Sequence, residues 1–371
     1  MSQTAISFMQ IRAGSSKGIF LNFSDLPKDI ELRNKVILAI MEGVGNGDLR
    51  QIDGLGGGDS LTSKVAIVGP SKKEGVVLEY LFLQVVIGKG IVIDAQNCGN
   101  ILSGVLPFAI EKGMVETTQM DTTAVIHMLN SDSFCEVTVF PHWEITYEGD
   151  AKVDGVPGTG SPIFCNYLDV EGASTGDLLP TGNLIDLIDG IEVTCIDNGM
   201  PVVNIRATDV GITGYETKDE LNDNIKLKEK LEKIRLQAGI KMNLGDVLNK
   251  TVPKMTLISK AKNGGLINTR TFIPHVCHTA IGVLGAVSVA SACILKGSVA
   301  DRIANIAKDI KKQMSVEHPS GEFTVKFELE QQDNVIKFNK SGVLRTARPI
   351  SKGVVYIPES IWKNKKKKDF Q

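Results

Sequence analysis

Gly18-Ile-Phe-Leu-Asn-Phe-Ser-Asp25-Leu26 is an apolar run that closes on an acidic turn, and Pro201-Val-Val-Asn-Ile-Arg-Ala-Thr-Asp209-Val210 has the same shape in the second half of the chain. Both read as a strand leading into an Asp-containing turn. A helical pattern follows each. Leu32, Val36 and Ile40 recur at spacing 4, with Ile37 and Met41 beside them; Leu227, Leu231, Ile234 and Ala238 recur at spacings 4, 3 and 4. Such spacings put one apolar stripe on a helix of 3.6 residues per turn. Gly43 and Gly239 are the expected stops.

The parallel continues. Lys64-Val-Ala-Ile-Val and Lys254-Met-Thr-Leu-Ile are short apolar, strand-like runs behind a lysine. Cys98-Gly-Asn opens an apolar segment ending at Lys112-Gly113, and Cys277-His-Thr opens another ending at Lys296-Gly297. Apolar nearly all round, these read as buried helices, each closed by a glycine after a lysine that suits the negative helix end. The displacement is 184 residues from Asp25 to Asp209, 190 from Lys64 to Lys254 and 179 from Cys98 to Cys277. Four elements in one order, shifted by about half the chain, imply a duplicated α+β unit. The Gly/Thr/Pro-rich stretch Gly172–Gly182 sets the boundary, giving lobes 1–182 and 183–371. Gly353–Pro358 reads as a last strand, with a place on either lobe.

The chain has 371 residues, 42% hydrophobic and 23% charged, proportions that exclude wholesale disorder. Lys and Arg number 41 against 43 Asp and Glu, so no basic excess marks a nucleic-acid binder. The 37 glycines follow no collagen-like period and serve turns and close backbone approaches. Met1–Ile11 has no signal-peptide pattern, and the longest uncharged apolar stretch, Thr279–Leu295, falls short of a membrane span. The six cysteines show no CxxC and no ligand-like pairing, which fits a reduced cytoplasmic setting. The lysine-rich end, Lys363–Lys368, reads as a solvated terminus, with a localisation or anionic-surface patch as the alternative.

Gly54-Leu-Gly-Gly-Gly-Asp59 looks like a phosphate loop, but Asp59 stands where the dinucleotide fingerprint needs glycine, and no G-x4-G-K-[ST] occurs. It reads as a tight backbone turn. Lys64, just after it, is either a strand-end lysine snorkelling to water or a base. A lysine acts as a base only when neutral, and each tenfold shift toward that form costs about 1.4 kcal/mol. Cys98 stands at an inferred helix start, where the dipole favours a thiolate; the plain alternative is an inert buried thiol. Free N–H groups at such a start, and at His275-Val-Cys277-His278-Thr279, suit carboxylates. His275 and His278 lack a third ligand nearby, so no metal is expected. Arg270 is either a solvated surface arginine, the more common fate, or a clamp that holds a carboxylate by two parallel hydrogen bonds. These residues suit proton transfer on a small anion, or simple anion binding.

Arg12-Ala-Gly-Ser-Ser-Lys-Gly18, Arg50-Gln-Ile-Asp-Gly-Leu-Gly-Gly58, Leu61-Thr-Ser-Lys-Val-Ala-Ile67, Asn97-Cys-Gly-Asn100, Gly155-Val-Pro-Gly-Thr-Gly-Ser-Pro-Ile163 and Leu179-Pro-Thr-Gly182 resemble the PrpF-like isomerases. These are relatives of diaminopimelate epimerase and proline racemase. Cys195-Ile-Asp-Asn-Gly-Met-Pro-Val-Val203, Ile234-Arg-Leu-Gln-Ala-Gly239, Phe272-Ile-Pro-His-Val-Cys-His278 and Ser315-Val-Glu-His-Pro-Ser-Gly-Glu322 are most similar to members acting on 4-oxalomesaconate. Ala13 and Ser15 replace the usual Gly and Thr of the opening motif, and His278 follows Cys277 where two-cysteine racemases have glycine. Cys277 is therefore given no catalytic role.

The resemblance implies a diaminopimelate-epimerase-like fold, with two α+β lobes each wrapping a curled sheet around a central helix and the active site in the cleft. It implies a cofactor-independent isomerase that moves a double bond in an unsaturated di- or tricarboxylate. Lys64 and Cys98 are the expected acid–base pair. Arg12, Ser16, Ser63, Asn97, Gly99, Asn100, Arg270, His278 and Thr279 are the expected substrate-binding residues. A 2-methylaconitate or methylitaconate isomerase is the neighbouring alternative, and a polycarboxylate-binding protein the one from another class. No metal, cofactor, nucleic-acid or membrane partner is expected; a homo-oligomer is compatible with the sequence.

Overall fold

The structure is a computed structural model that describes residues 2–45, 47–95, 97–141, 144–168, 170–306, 314–332 and 335–364. The lysine run from Lys365 lies outside the described residues. The chain divides into two compact units, Met1–Cys165 with Arg345–Gln371, and Asn166–Leu344.

In chain order the first unit carries β1 (Gln3–Ala13), β2 (Ser16–Asn22), α1 (Ile30–Glu42), β3 (Lys64–Pro70), β4 (Leu78–Val86) and β5 (Ile91–Ile93). Then come α2 (Gly99–Leu102), α3 (Val105–Glu111), β6 (Thr122–Met128), β7 (Ser133–Val139) and β8 (Ile163–Leu168), whose end crosses into the second unit. The second unit carries β9 (Asp186–Ile188), β10 (Ile191–Asp197), β11 (Pro201–Arg206), α4 (Lys218–Asp223), α5 (Ile225–Lys241) and β12 (Lys254–Ser259). It continues with β13 (Ile267–Phe272), α6 (Val283–Ile294), β14 (Met314–His318), β15 (Gly321–Gln332) and β16 (Val335–Arg345); β17 (Ala347–Pro358) closes the order.

The pairings of the two units match strand for strand. β1 and β2 are antiparallel, β2 and β3 parallel, β3 and β4 antiparallel, β4 and β6 parallel, β6 and β7 antiparallel. β10–β11, β11–β12, β12–β13, β13–β14 and β14–β15 repeat that sequence of directions. Each parallel pair needs a crossover: α1 joins β2 to β3 and α4 with α5 joins β11 to β12, while α2 with α3 lies between β4 and β6 and α6 between β13 and β14. The two matching apolar runs form β2 and β11, and each leads into a 3-10 turn holding its aspartate, Phe23–Asp25 and Ala207–Val210.

The crossover helices cover one face of each sheet. Val36, Ile37, Ile40 and Met41 of α1 pack on Ile19, Leu21, Val65, Ile67 and Leu83. Leu227, Leu231, Ile234 and Ala238 of α5 pack on Val203, Ile205, Met255 and Leu257. The other face holds the central helix. α2 and α3 together touch β1, β2, β3 and β7, and α6 touches β10, β11, β14 and β15. α6 reaching strands from distant parts of its sheet, and the α2–α3 pair doing so in the first unit, require those sheets to curl around them.

Four expectations differ from the structure. The division falls at Cys165/Asn166 and not at 182, because Gly172–Gly182 is bonded to β10. Gly172 N donates to Asp197 O (2.8 Å), Ser174 N to Asp197 Oδ2 (2.9 Å), and Asp197 N to Leu178 O (2.9 Å). Gly239 does not stop α5, which runs on to Lys241; a Cβ there would lie 2.5 Å from Val247 Cγ2, so the glycine serves close packing. The segment from Cys98 to Lys112 is two helices. Pro107 has no N–H to offer Ser103 O, and a Cβ at Gly104 would lie 2.6 Å from Phe20 Cζ. The second central helix starts at Val283, with Gly282 as its N-cap, and not at Cys277–Thr279. Cys277 instead makes an isolated antiparallel bridge to Phe272, the last residue of β13.

The last strand returns to the first unit. β17 pairs antiparallel with the whole of β1, from Gln3↔Pro358 to Ala13↔Ala347.

Candidate active site

Lys64 is the first residue of β3, paired with Gly18 on β2 and Gln84 on β4. Its side chain is 8% exposed. Nζ donates to Gln84 Oε1 (2.8 Å) and lies 5.1 Å from the Phe82 ring centroid. Among the described residues no carboxylate ion-pairs with it, so its polar partner is a neutral amide.

The turn ahead of Lys64 is built by the glycine-rich loop. Leu55 N and Gly56 N donate to Ile40 O (2.8 Å) and Met41 O (3.0 Å), two carbonyls left open at the end of α1. A Cβ at Gly54 would sit 2.3 Å from the Met41 carbonyl carbon, so only glycine allows the approach. Gln51, held at φ +52°, accepts from Gly58 N (3.0 Å) and from Ser63 Oγ (2.6 Å). The Ser63 hydroxyl, fully buried, thus belongs to the loop's scaffold.

Cys98 is the N-cap of α2 and the sole cysteine of the six that is not buried. Tyr80 on β4 donates a long hydrogen bond to Cys98 O (3.4 Å). α2 is a single turn, so the dipole acting on the thiol is that of one turn and not of the long helix expected from the sequence. Gly18 joins this helix to Lys64: a Cβ there would meet Lys64 O at 2.9 Å and Ile101 Cδ1 at 3.0 Å. Lys64 and the turn after Cys98 therefore flank one glycine of β2.

Asn97 donates through Nδ2 to Ser131 Oγ, and its buried Oδ1 has no partner among the described residues. The Ser16 hydroxyl is likewise buried and unpartnered there. Asn100 donates to Ser15 Oγ (3.2 Å), with its Oδ1 against Gly14, where a Cβ would come within 2.2 Å. Gly99 opens α2. Arg12 is engaged with the main chain: Nη1 donates to Thr346 O (2.6 Å), Thr346 Oγ1 (2.7 Å) and Gly14 O (3.3 Å). Burial, and secondarily Arg348, hold its guanidinium below the usual arginine value.

In the second unit Lys254 occupies the position of Lys64, first on the strand parallel to β11. Its Nζ donates to Thr251 O (2.6 Å), and burial, with help from Arg235, lowers its pKa to about 8. Arg270 is largely buried on β13; Nε donates to Glu216 O (2.7 Å) and Nη1 to Asn268 Oδ1 (3.0 Å) and Thr269 O (2.8 Å). His278 accepts from Ala280 N at Nδ1 (2.8 Å). Burial, then Lys218 and Lys254, hold its ring below the usual histidine value. Burial pushes the Cys277 thiol up to about 11. Thr279 is exposed.

Lys64, Cys98, Asn97, Asn100 and Ser16 thus lie in the first unit, and Arg270 and His278 in the second. The internal repeat already marks Lys254 as the counterpart of Lys64, though without a role; Gln84, against Lys64, is not singled out by the sequence, and nothing local points to it.

The fold defines the class. A hydroxyproline epimerase from Agrobacterium vitis shares it, with TM-score 0.52 over 96% of this chain and 97% of that one, at 11% identity. It is the α+β fold of the diaminopimelate-epimerase-like racemases and epimerases. A methylitaconate-delta-isomerase crystal structure matches far more closely, with TM-score 0.87 and 32% identity over 100% of both chains. The PrpF family pattern (PrpF protein) matches residues 3–358, and the chain belongs to that family and is an isomerase. The 4-oxalomesaconate tautomerase of Pseudomonas putida (strain KT2440) is 50% identical to it over 363 residues, 98% of this chain and 99% of that protein. Among the described residues no helix is long and apolar enough to cross a membrane.

Proposed function

We propose that this isomerase tautomerises 4-oxalomesaconate, or a close unsaturated tricarboxylate, by proton transfer between Lys64 and Cys98. Neutral Lys64 removes a proton from a carbon made acidic by the conjugated carbonyl and carboxylate system. The C–H electron pair moves through that system to give a dienolate. Cys98 delivers a proton at the other end of the conjugated unit, and the double bond shifts. The reverse assignment of donor and acceptor gives the same net reaction. Ser16, Asn97 and Asn100 offer the polar groups for a carboxylate beside the pair, and Arg270 and His278 are further carboxylate-binding candidates.

The observation that carries proton transfer is the buried Lys64 amine with a neutral amide as its polar partner. Half-identity to a 4-oxalomesaconate tautomerase along nearly the whole chain supports the substrate. The test is proton NMR in D2O with 4-oxalomesaconate and, separately, 2-methylaconitate. Enzyme-dependent isomerisation and deuterium uptake are expected with the first. Lys64→Ala should lower kcat by about 10²–10⁴-fold, the usual worth of a positioned base. Near-normal turnover by that variant removes Lys64 from the reaction. Turnover of 2-methylaconitate alone moves the enzyme to that substrate.

A further inference from the structure

Gln84 stands opposite Lys64 in the antiparallel β3–β4 pair. Its amide nitrogen is surrounded by acceptors: Nε2 donates to Ser63 O (3.0 Å), Ser60 O (3.2 Å) and Val85 O (3.2 Å). Two of those carbonyls belong to the turn that leads directly into Lys64. A flipped amide would aim its oxygen at three carbonyl oxygens, so the orientation is set, and Oε1 is the atom turned toward the amine. Lys64 Nζ meets it at 2.8 Å. The Phe82 ring closes another side of the amine.

The elements against β3 carry few other charges. Lys17 flanks Gly18 on β2; Glu79 lies at the far end of β4, paired with Gly69. Tyr80 also stands on β4, Cys98 heads α2, Glu111 ends α3 and Asp25 closes the first 3-10 turn, while α1, packed on Val65 and Ile67, carries Glu31, Arg33, Lys35 and Glu42. None of these carboxylates ion-pairs with Lys64.

An amide oxygen in that place has a property a carboxylate lacks. It accepts an N–H from an ammonium and from a neutral amine alike, so the contact survives the loss of the proton and keeps the amine aimed. A carboxylate would make the same contact but would hold the proton on nitrogen.

We propose that Gln84 is a positioning residue for Lys64, aiming the amine in both of its protonation states through an amide that the turn 60–63 locks in orientation. This rests on Lys64 being the proton-transferring lysine.

The experiment compares Gln84→Met, Gln84→Glu and Lys64→Met by pH-dependent kinetics and thermal melting. Gln84→Met keeps the length and loses the acceptor; kcat should fall about tenfold or more with KM within about threefold, since misaim acts on the chemical step. Its melting midpoint should stay within a few degrees of wild type. Gln84→Glu should move the acid limb of kcat/KM upward by about one pH unit or more, as an opposite charge beside an amine does. A Gln84→Met enzyme with wild-type kcat, or a folded Gln84→Glu enzyme with the wild-type acid limb, overturns the proposal. If Gln84→Glu does not fold, Gln84→Met decides alone. Lys64→Met separates the two readings. If it is active, the assignment of Lys64 fails and this proposal with it. If it is inactive while Gln84→Met is normal, only the role of Gln84 fails.

Discussion

Reactivity at single residues follows burial. Cys98 is half-buried, whereas Cys135, Cys165, Cys195, Cys277 and Cys293 are buried. Burial also pushes Cys195 up to about 12 and Cys277 up to about 11, which keeps both as thiols. Iodoacetamide under native conditions should therefore label one cysteine, Cys98, and activity should fall in step with that label. Peptide mass spectrometry checks it, and early labelling of Cys277 would contradict the burial described. Lys254 tests the opposite sign. Its lowered value of about 8 means that the folded state resists protonation more than the unfolded chain does. Its destabilising contribution is present in full below about pH 8, and it disappears as pH rises toward the ordinary lysine value. Lys254→Met should raise the melting midpoint at pH 7, and the gain over wild type should shrink toward pH 10. A gain that is constant across that range would show that charge burial is not its source.

At the scale of elements, β2 and β11 are equivalent strands with unlike centres. Gly18 pairs with Lys64 and Val202 with Lys254, which makes Phe20 the counterpart of Asn204. Phe20 packs its ring against Phe108, with ring centroids 5.8 Å apart. Asn204 is fully buried and, among the described residues, neither of its amide atoms has a hydrogen-bond partner. It stands in a row of polar residues across the sheet, between Thr194 and Thr256, with Thr256 bonded to Thr271 (3.0 Å). A buried unpaired polar group costs about 1–3 kcal/mol. Asn204→Val, similar in volume, should raise the melting midpoint, readable by calorimetry; a fall of several degrees would show that the amide is satisfied in solution. Local patterning foretold these strands and both crossover helices. It misplaced the end of α5, because Gly239 is there to admit Val247, a contact made with a later loop.

At the scale of the molecule, the first unit is closed by the end of the chain. β1 has β2 on one side and β17 on the other, and Ile357 joins the core beneath α1. A chain ending before Ala347 would leave all of β1 as an open edge and uncover that core. Deletion of 347–371 should abolish cooperative unfolding of the first unit and yield insoluble protein. A soluble truncated chain with native-like circular dichroism would show that β17 is dispensable. The pairing joins residues at opposite ends of the sequence, and contacts so distant form against a large loop-closure cost.

The residues alone determined the repeat, the strand-to-acidic-turn units, the crossover helices and the candidate pair Lys64 and Cys98. Each of these follows from local periodicity or a contiguous motif, since backbone geometry converts spacing directly into a buried face. Tertiary structure alone decided the return of β17, the start of α6 at Val283, the engagement of Arg12 with Thr346 and the placing of Gln84 against Lys64. Those depend on which strands lie side by side and in what register. Gln84 meets Lys64 because β4 pairs back on β3, and the amide turns its oxygen to the amine because three carbonyls occupy its other side.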